Sequence, residues 1–506
     1  MINIGNRAGA HRRWAGGIGN RLTNAPSRFS RYLPTTLLLL VSTVATAQTP
    51  SSNSNRQSFR AERAPSARGV DESRSLRQGV ESGAEAGATD FWATLGDPTL
   101  TKLVGDALRG NHDVESARAR VSGARAARVG SLLDLTPAVT AVGGYSRQRL
   151  ASGTVPGAGA GIRLPEQDVW DAGLRMSWDL DVFGRLRKSA QARGSLVESA
   201  DEDLKDVRIV LAAQVAKAYF DLRGAEDRLA VARRNAENQR GTLEVTTNRL
   251  DAGRGTALDV ERAQAQLSTT LAAIPGLEAE VEGARDRIAV LAGREPGNLT
   301  VSLDSSTAAL SLPDSIVVGP TDLVARRRPD VRSAEEQVDA SGAYVRAARA
   351  DYLPRLAVAG GAGYTSSRFD ALGDAGTPRY TIGPVLSWPA FDLGRVRANT
   401  DAARAVEAEA KARYRQTVLR SMEEVKTSLM TYRKSRERLR HLEDAAAASE
   451  RAAELARLRF TEGASDFLPV LDAERTMLEA QDRLSLGRTQ ATAALVAVYR
   501  ATGGAR

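Results

Sequence analysis

Apolar residues recur at alternating spacings of three and four along two very long stretches of the chain. In the first they fall at Leu204, Val207, Leu211, Val215, Ala218, Leu222, Ala225 and Leu229, and in the second at Val418, Met422, Val425, Leu429, Tyr432, Leu439 and Leu442. A mean spacing of about 3.5 is the period of helices wound together in a left-handed coiled coil. Between Pro389 and Pro469 there is no proline, and between Gly394 and Gly463 no glycine. A helix from Arg395 to about Thr461 is therefore expected to be roughly 100 Å long, at about 1.5 Å per residue. The stretch from Arg185 to Asp251 is proline-free too, although it carries Gly194, Gly224 and Gly241. Shorter helices are expected to return over 257–292 and 467–501.

Each long helix is preceded by a shorter one, expected over 97–131 and 320–350, and by two strand-like segments. These segments are 136–147 with 169–180, and 354–366 with 379–388. Val139, Ala141 and Gly143 share one parity, as do Leu356, Val358 and Gly360, which is the alternation of a two-faced strand. Each segment is about ten residues long, the length of a tilted membrane-spanning strand. Tyr145, Trp170, Trp178, Tyr364, Tyr380 and Trp388 lie near the segment ends, where aromatic side chains meet lipid headgroups. An ordinary hairpin capped by core aromatics has the same pattern.

The elements occur twice because the chain is duplicated. Asn111-His112-Asp113-Val114-Glu115-Ser116-Ala117 resembles Arg328-Pro329-Asp330-Val331-Arg332-Ser333-Ala334 at an offset of 217, which Pro137 and Pro354 keep. Downstream the offset is 210, as in Trp178 and Trp388, Gly253 and Gly463, Leu258 and Leu468, and Gly293 and Gly503. The change falls between the two strands, so the first half carries the longer loop there, including the glycine-rich run 157–161. Two copies are too few for a solenoid and suit an internal pseudo-twofold. In both halves a turn joins the long helix to the returning one. Gly253 and Gly463 fit the left-handed residue that ends a helix, and Asp466 is placed to cap the helix that follows.

Composition narrows the function. The absence of cysteine excludes disulfides, thiolate metal sites and thiol nucleophiles. His11, His112 and His441, the only histidines, are too scattered to suggest a metal site. The formal charge is +9, but residues 1–47 hold six arginines and no acid, and taking away those six leaves +3, too little to argue for nucleic acid. Residues 1–47 read as an export signal, with a short apolar core at 37–41 and Ala45-Thr46-Ala47 as a cleavage site. Residues 48–89, rich in Ser, Arg, Gly, Ala and Glu, read as a disordered linker. The leucine run is too short to span a bilayer, so any membrane crossing falls to strands. Four strands would leave two edges unpaired in lipid, whereas three chains would supply twelve.

Three motifs match a known family. They are Leu323-Val324-Ala325-Arg326-Arg327-Arg328-Pro329-Asp330-Val331-Arg332-Ser333-Ala334-Glu335, then Phe91-Trp92-x-x-Leu95-Gly96-Asp97-Pro98-x-Leu100, then Arg459-Phe460-x-x-Gly463-x-x-Asp466-Phe467-Leu468-x-Val470-Leu471-Asp472-Ala473-Glu474-Arg475. Over about 90–503 the chain resembles the TolC and OprM-type outer-membrane factors, especially the NodT-like subgroup. That resemblance implies a mainly α fold with β, internally duplicated, in which a trimeric twelve-stranded outer-membrane barrel continues into a periplasmic coiled-coil α-barrel. It also implies repeats over 90–297 and 321–503 joined by an equatorial connection, 298–320.

The function it implies is an exit duct for a tripartite efflux pump, with no catalytic residue and no cofactor. The implied partners are two further copies of the chain, a periplasmic adaptor, an inner-membrane pump of the resistance-nodulation-division type, and outer-membrane lipid. Carried over by position, Leu468 resembles a constriction residue at the periplasmic tip. Arg459, Asp472 and Arg475 resemble polar gate residues, with Asp259 a looser match, and Phe460 occupies a place where relatives often carry tyrosine. Gly253, Leu258, Gly463 and Asp466 fall where tips meet the adaptor, and Arg327, Arg328, Pro329 and Asp330 form the signature of the second repeat. Relatives in the NodT-like subgroup often carry a lipidated cysteine after the signal. With none here, a free amino terminus near Gln48 is implied. Two other readings remain open on the residues alone: an envelope enzyme, and a periplasmic coiled coil without a pore. Asp472 and Arg475 also suit a plain surface pair three residues apart on one helix.

Overall fold

In the computed structural model, which describes residues 91–149, 165–299, 312–314, 316 and 319–504, the two halves fold as the same succession of elements. The first runs α1 (Pro98–Gly110), α2 (His112–Leu133), β1 (Ala138–Gln148), β2 (Gln167–Asp179), α3 (Arg185–Asp251) and α4 (Ala257–Leu291). The second runs α5 (Thr321–Arg327), α6 (Pro329–Ala350), β3 (Arg355–Ser366), β4 (Pro378–Ser387), α7 (Leu393–Thr461) and α8 (Leu468–Ala501). The expected leader at 1–47, the linker at 48–89, the glycine-rich run 157–161 and most of the 298–320 connection lie outside the described residues.

The helices expected over 97–131 and 320–350 are each broken in two, a correction with one cause per half. Asn111 leaves the helical region (φ −74°, ψ 131°) because its side chain caps α2, accepting from the amides of Asp113 and Val114. Arg328 is extended (φ −63°, ψ 138°) because the residue before a proline is pushed out of the α region. These breaks sit 217 residues apart, at equivalent points of the duplication. At their far ends α3 and α7 close alike. Gly253 (φ 69°) and Gly463 (φ 76°) take the left-handed conformation, and the next amides, of Arg254 and Ala464, reach back to the carbonyls of Arg249 and Arg459 at 2.8 Å.

The long helices organise the packing. At one level α3 lies against α2 and α6, and α6 against α7. At the other, α3 lies against α4 and α8, and α8 against α7. The seam of α7 repeats every seven residues, with Val425, Tyr432, Leu439, Ala446, Ala453 and Phe460 all buried. The largest core gathers Trp92, Leu100, Leu103 and Leu108 against Leu211, Val215, Tyr219 and Leu222 of α3, each worth about 1.5–3 kcal/mol of burial. Asp97 fixes this corner, capping α1 through the amides of Thr99 and Leu100 and accepting from the Tyr219 hydroxyl at 2.6 Å.

The strands form one antiparallel sheet in the order β1-β2-β3-β4. Trp170, Leu174, Met176 and Trp178 of β2 share a face with Tyr145 of β1, since Tyr145 pairs with Trp170. On that face follow Leu356, Val358 and Tyr364 of β3 and Tyr380, Ile382 and Leu386 of β4. The other face carries Thr140, Ser146, Asp171, Arg175, Thr365, Arg379 and Thr381. Trp178 and Trp388 mark equivalent places, donating to the carbonyls of Leu135 (2.9 Å) and Tyr352 (3.1 Å) just before each first strand. No described helix is long and apolar enough to cross a membrane.

Candidate functional site

The two interhelical turns, 252–256 and 462–467, lie side by side and are bolted together from inside. Phe460 and Phe467 pack with ring centroids 5.5 Å apart, with Val470 and Ala263 completing the cluster. Arg249, at the end of α3, lays its guanidinium over the Phe460 ring at 4.4 Å and donates to the Phe460 carbonyl. Phe460 is thus an anchor between the two hairpins and is buried, set apart from the other gate residues expected from the sequence.

Those others face outward. Leu468 is 56% exposed. Asp472 and Arg475, also exposed, approach each other at only 3.5 Å, a weak contact in water. Arg459 is exposed and enters no ion pair among the described residues. Leu258, the counterpart of Leu468, stands at the start of α4 and is 57% exposed. Asp259 is engaged locally, where its amide bonds to the Thr256 hydroxyl, which in turn donates to the Asp259 carboxylate at 2.6 Å. Asp466 does not cap α8, which has no side-chain cap. Phe467 is already helical (φ −70°, ψ −33°), drawn in by its ring contact with Phe460, so the extended residue that a cap requires is missing.

A polar ladder between the hairpins was missed from the sequence. Arg228 of α3 binds Asp482 of α8 at 2.8 Å. Asn235 donates to Gln481 at 3.1 Å, and the Thr242 hydroxyl to Glu474 at 2.9 Å. Glu474, 2% exposed, also receives Arg457 of α7 at 2.7 Å. The signal was present, because 228, 235, 242 and 249 are seven apart, polar residues recurring at one heptad position where apolar ones belong.

At the other end of the returning helices, the two breaks form matching joints. In the first half Asn111 donates to the carbonyl of Leu291, the last residue of α4, at 3.0 Å. In the second, Arg328 of the expected signature donates to the carbonyl of Ala501, the last residue of α8, at 3.3 Å. Arg328 also grips Asp330 through two bonds of 3.0 and 2.8 Å and Glu424 of α7 at 2.7 Å. Burial would lower the Arg328 pKa, but Asp330 and Glu424 outweigh it and the net direction is up. Pro329 starts α6, and Arg327 closes α5 with its side chain exposed. Among the described residues no group of His, Asp or Glu side chains is arranged to hold a metal.

A two-faced sheet with apolar residues and aromatic ends on one side, continued by helices far longer than any membrane needs, is the architecture of a channel protein of the outer membrane once such sheets close into a barrel. The comparisons agree. The family profile described as outer membrane efflux protein matches residues 103–294 and 321–504, and the chain belongs to that family. The toluene efflux pump outer membrane protein TtgF of Pseudomonas putida is 30% identical over 412 residues, 81% of this chain and 84% of its own. Nodulation protein T of Rhizobium leguminosarum bv. viciae is 28% identical over 411 residues, 80% and 82% of the two chains. Among solved structures, the outer-membrane channel OprN superposes with a TM-score of 0.75 at 39% identity, covering 82% of this chain and 92% of that one. The protein is therefore an outer-membrane efflux channel extending into the periplasm, a conduit rather than an enzyme, with the fold of the trimeric channels that join a β-barrel to an α-barrel.

Proposed function

We propose that the hairpin tips are the gate of this channel and that neighbouring chains hold it shut. The observation that carries this is the division of labour at the second tip. Phe460, Phe467 and Glu474 are buried in bonds within the chain. Leu468, Asp472, Arg475 and Arg459 stand exposed, with no strong partner among the described residues. Three chains placed edge to edge would pair β4 of one with β1 of the next, since each has one free edge, closing twelve strands without unpaired amides. The same closure puts the exposed side of α7 against a neighbour's α2 and α4, and gathers three copies of the second tip about the axis. There Leu468 narrows the bore, while Asp472, Arg475 and Arg459 bind across chains. A periplasmic adaptor that grips the tips around Gly253, Leu258, Gly463 and Asp466 more tightly when they are splayed would shift the population towards open. The inner-membrane partner is a resistance-nodulation-division pump, by resemblance to the NodT-like relatives. The two repeats are assigned to 90–297 and 321–503, joined by 298–320, after a cleaved leader (1–47) and a linker (48–89).

The test is Asp472→Ala together with Arg475→Ala, measured as single-channel conductance in planar bilayers without adaptor. We expect conductance to rise and cells to admit large antibiotics, while thermal stability stays near wild type. Salt should reproduce part of the rise, since exposed pairs are screened. Unchanged conductance and exclusion in a folded, inserted variant would reduce both residues to surface charges.

A further inference from the structure

We propose that Arg175 makes the membrane section of this channel selective for anions. Its place in the sheet fixes the side it faces. It sits in β2 between Leu174 and Met176, which belong to the apolar face, so it stands on the polar one, opposite Thr140 of β1 and Gly361 of β3. In the closed barrel that face is the water-filled lumen. The inference rests on the three-chain closure proposed above.

The other charges on that face are cancelled. About 13 Å along β2 in one direction, four residues at about 3.3 Å each, Asp171 takes Arg379 at 2.8 Å and the Thr365 hydroxyl at 2.6 Å. As far in the other direction, Asp179 takes Arg185 at 3.0 Å, and Arg355 takes Asp351 at 2.6 Å. Arg175 is exposed and enters no ion pair among the described residues. Nor is it shielded, because the strand beside it presents glycines. A Cβ on Gly173 would meet the Ala362 carbonyl oxygen at 2.5 Å, and one on Gly363 the Ala172 oxygen at 2.3 Å. The β2–β3 approach therefore excludes side chains there.

Three uncompensated guanidiniums then share one level of the lumen. Twelve strands about 4.8 Å apart and tilted about 40° close at a backbone radius of roughly 12 Å. The charges at the ends of the arginine side chains lie within a Debye length of the axis, about 10 Å at 0.1 M salt, so their fields overlap across the bore. Rings of arginine or lysine favour anions in pores. A potential of about 1 kT, modest beside those of charged clefts, enriches a monovalent anion over a cation about sevenfold. Cargo bearing carboxylate or phosphate is the chemical class this level favours.

The chain has no cysteine, so Thr140→Cys installs a single reporter beside Arg175, read independently of the tips. Reconstituted protein is treated from the strand-loop side with a sulfonate-bearing and a trimethylammonium-bearing methanethiosulfonate, each rate divided by that for a free thiol. We expect the anionic reagent to be favoured about sevenfold at low salt. Arg175→Gln should abolish that preference, Arg175→Lys keep it and 1 M salt collapse it. A preference unchanged by Arg175→Gln, or the absence of one in the parent protein, overturns the proposal. So does a reporter that water-soluble reagents never reach, since Arg175 then faces no lumen. Crosslinking to a species other than a trimer would instead refute the closure itself. Should Arg175→Gln fail to insert, Arg175→Met, equally uncharged, carries the same test.

Discussion

The two halves share a backbone plan, yet equivalent points are held by different chemistry. At the joints, Asn111 does with a neutral amide what Arg328, its counterpart, does with a buried guanidinium held by Asp330 and Glu424. At the turns, Thr256 caps α4, while its counterpart Asp466 caps nothing and the Phe460–Phe467 contact takes over. What stays constant is the backbone geometry: Gly253 and Gly463 match in φ, as do Gly293 and Gly503. Duplication thus preserved the positions at which the chain must turn, where only glycine is free of strain, and let the fastenings diverge. At these two points the first half is fastened by a neutral amide and a hydroxyl, the second by ions and aromatic rings. Substitutions at these points should therefore cost more in the second half.

The sharpest contrast is predicted at the joints. Arg328→Ala would leave the carboxylates of Asp330 and Glu424 without their cation, and breaking such a buried pair costs about 3–5 kcal/mol. Glu424 is half exposed, so the lower end is expected. Asn111→Ala loses a cap and one bond to a carbonyl, about 1–2 kcal/mol. Heat resistance of the assembled protein on gels, followed with far-UV circular dichroism, should rank them in that order. Equal losses would show that the charged joint holds no more than the neutral one.

Next come the tips. Phe460→Ala removes the ring that Phe467 and Arg249 share, and large-to-small changes of this kind cost about 3–5 kcal/mol in a full core. At a tip near solvent the loss should be about half that. We expect it as faster amide exchange at 455–475 together with raised resting conductance, because the second hairpin loses its hold on the first. Raised exchange with wild-type conductance would mean that the anchor is structural only. A smaller effect distinguishes the two caps: Thr256→Ala should cost about 1 kcal/mol and speed exchange at the start of α4. Asp466→Ala should leave the start of α8 unchanged, and faster exchange there would restore Asp466 to a capping role.

The repetitive features were the legible ones. The spacing of three and four gave both long helices within about two residues of their ends, because the pattern extends over many turns and lacks proline. The duplication offsets, with strands of matched length, pointed to the paired hairpins. Asn111 was visible only as part of a repeated motif, and its break in the first helix was not foreseen, since one asparagine in a helical pattern is weak punctuation. Pro329 carried a signal for the second break, yet the helix expected over 320–350 ran through it. The seven-residue recurrence of Arg228, Asn235, Thr242 and Arg249 is hard to tell from a solvated helix face, and only their bonds to the second hairpin mark it as interior. Phe460 was placed beside the gate residues by resemblance, and only the packing turned it inward.

The smallest predicted effect belongs to Asp206 of α3, beside the charged joint. Burial first, then the Asp330 carboxylate, push its pKa above the ordinary 3.8, against the pull of Arg328 and Arg500 and with Asp203 adding to the rise. A carboxyl whose folded pKa is raised holds its proton more tightly in the folded chain. Its contribution to stability is therefore complete below about pH 3.8 and is lost as pH rises through the folded value, leaving a penalty at neutral pH. Asp206→Asn removes the ionisation while keeping the size, so it should raise Tm at pH 8 by about 1–2 °C and give little or no gain at pH 4. Its counterpart by the duplication, Gln416 of α7, has no charge to lose, and Gln416→Ala should show no such pH dependence. If Asp206→Asn instead lowers Tm at pH 8, the carboxylate serves Arg328 and Arg500 as a partner, and the charged joint includes a third acid.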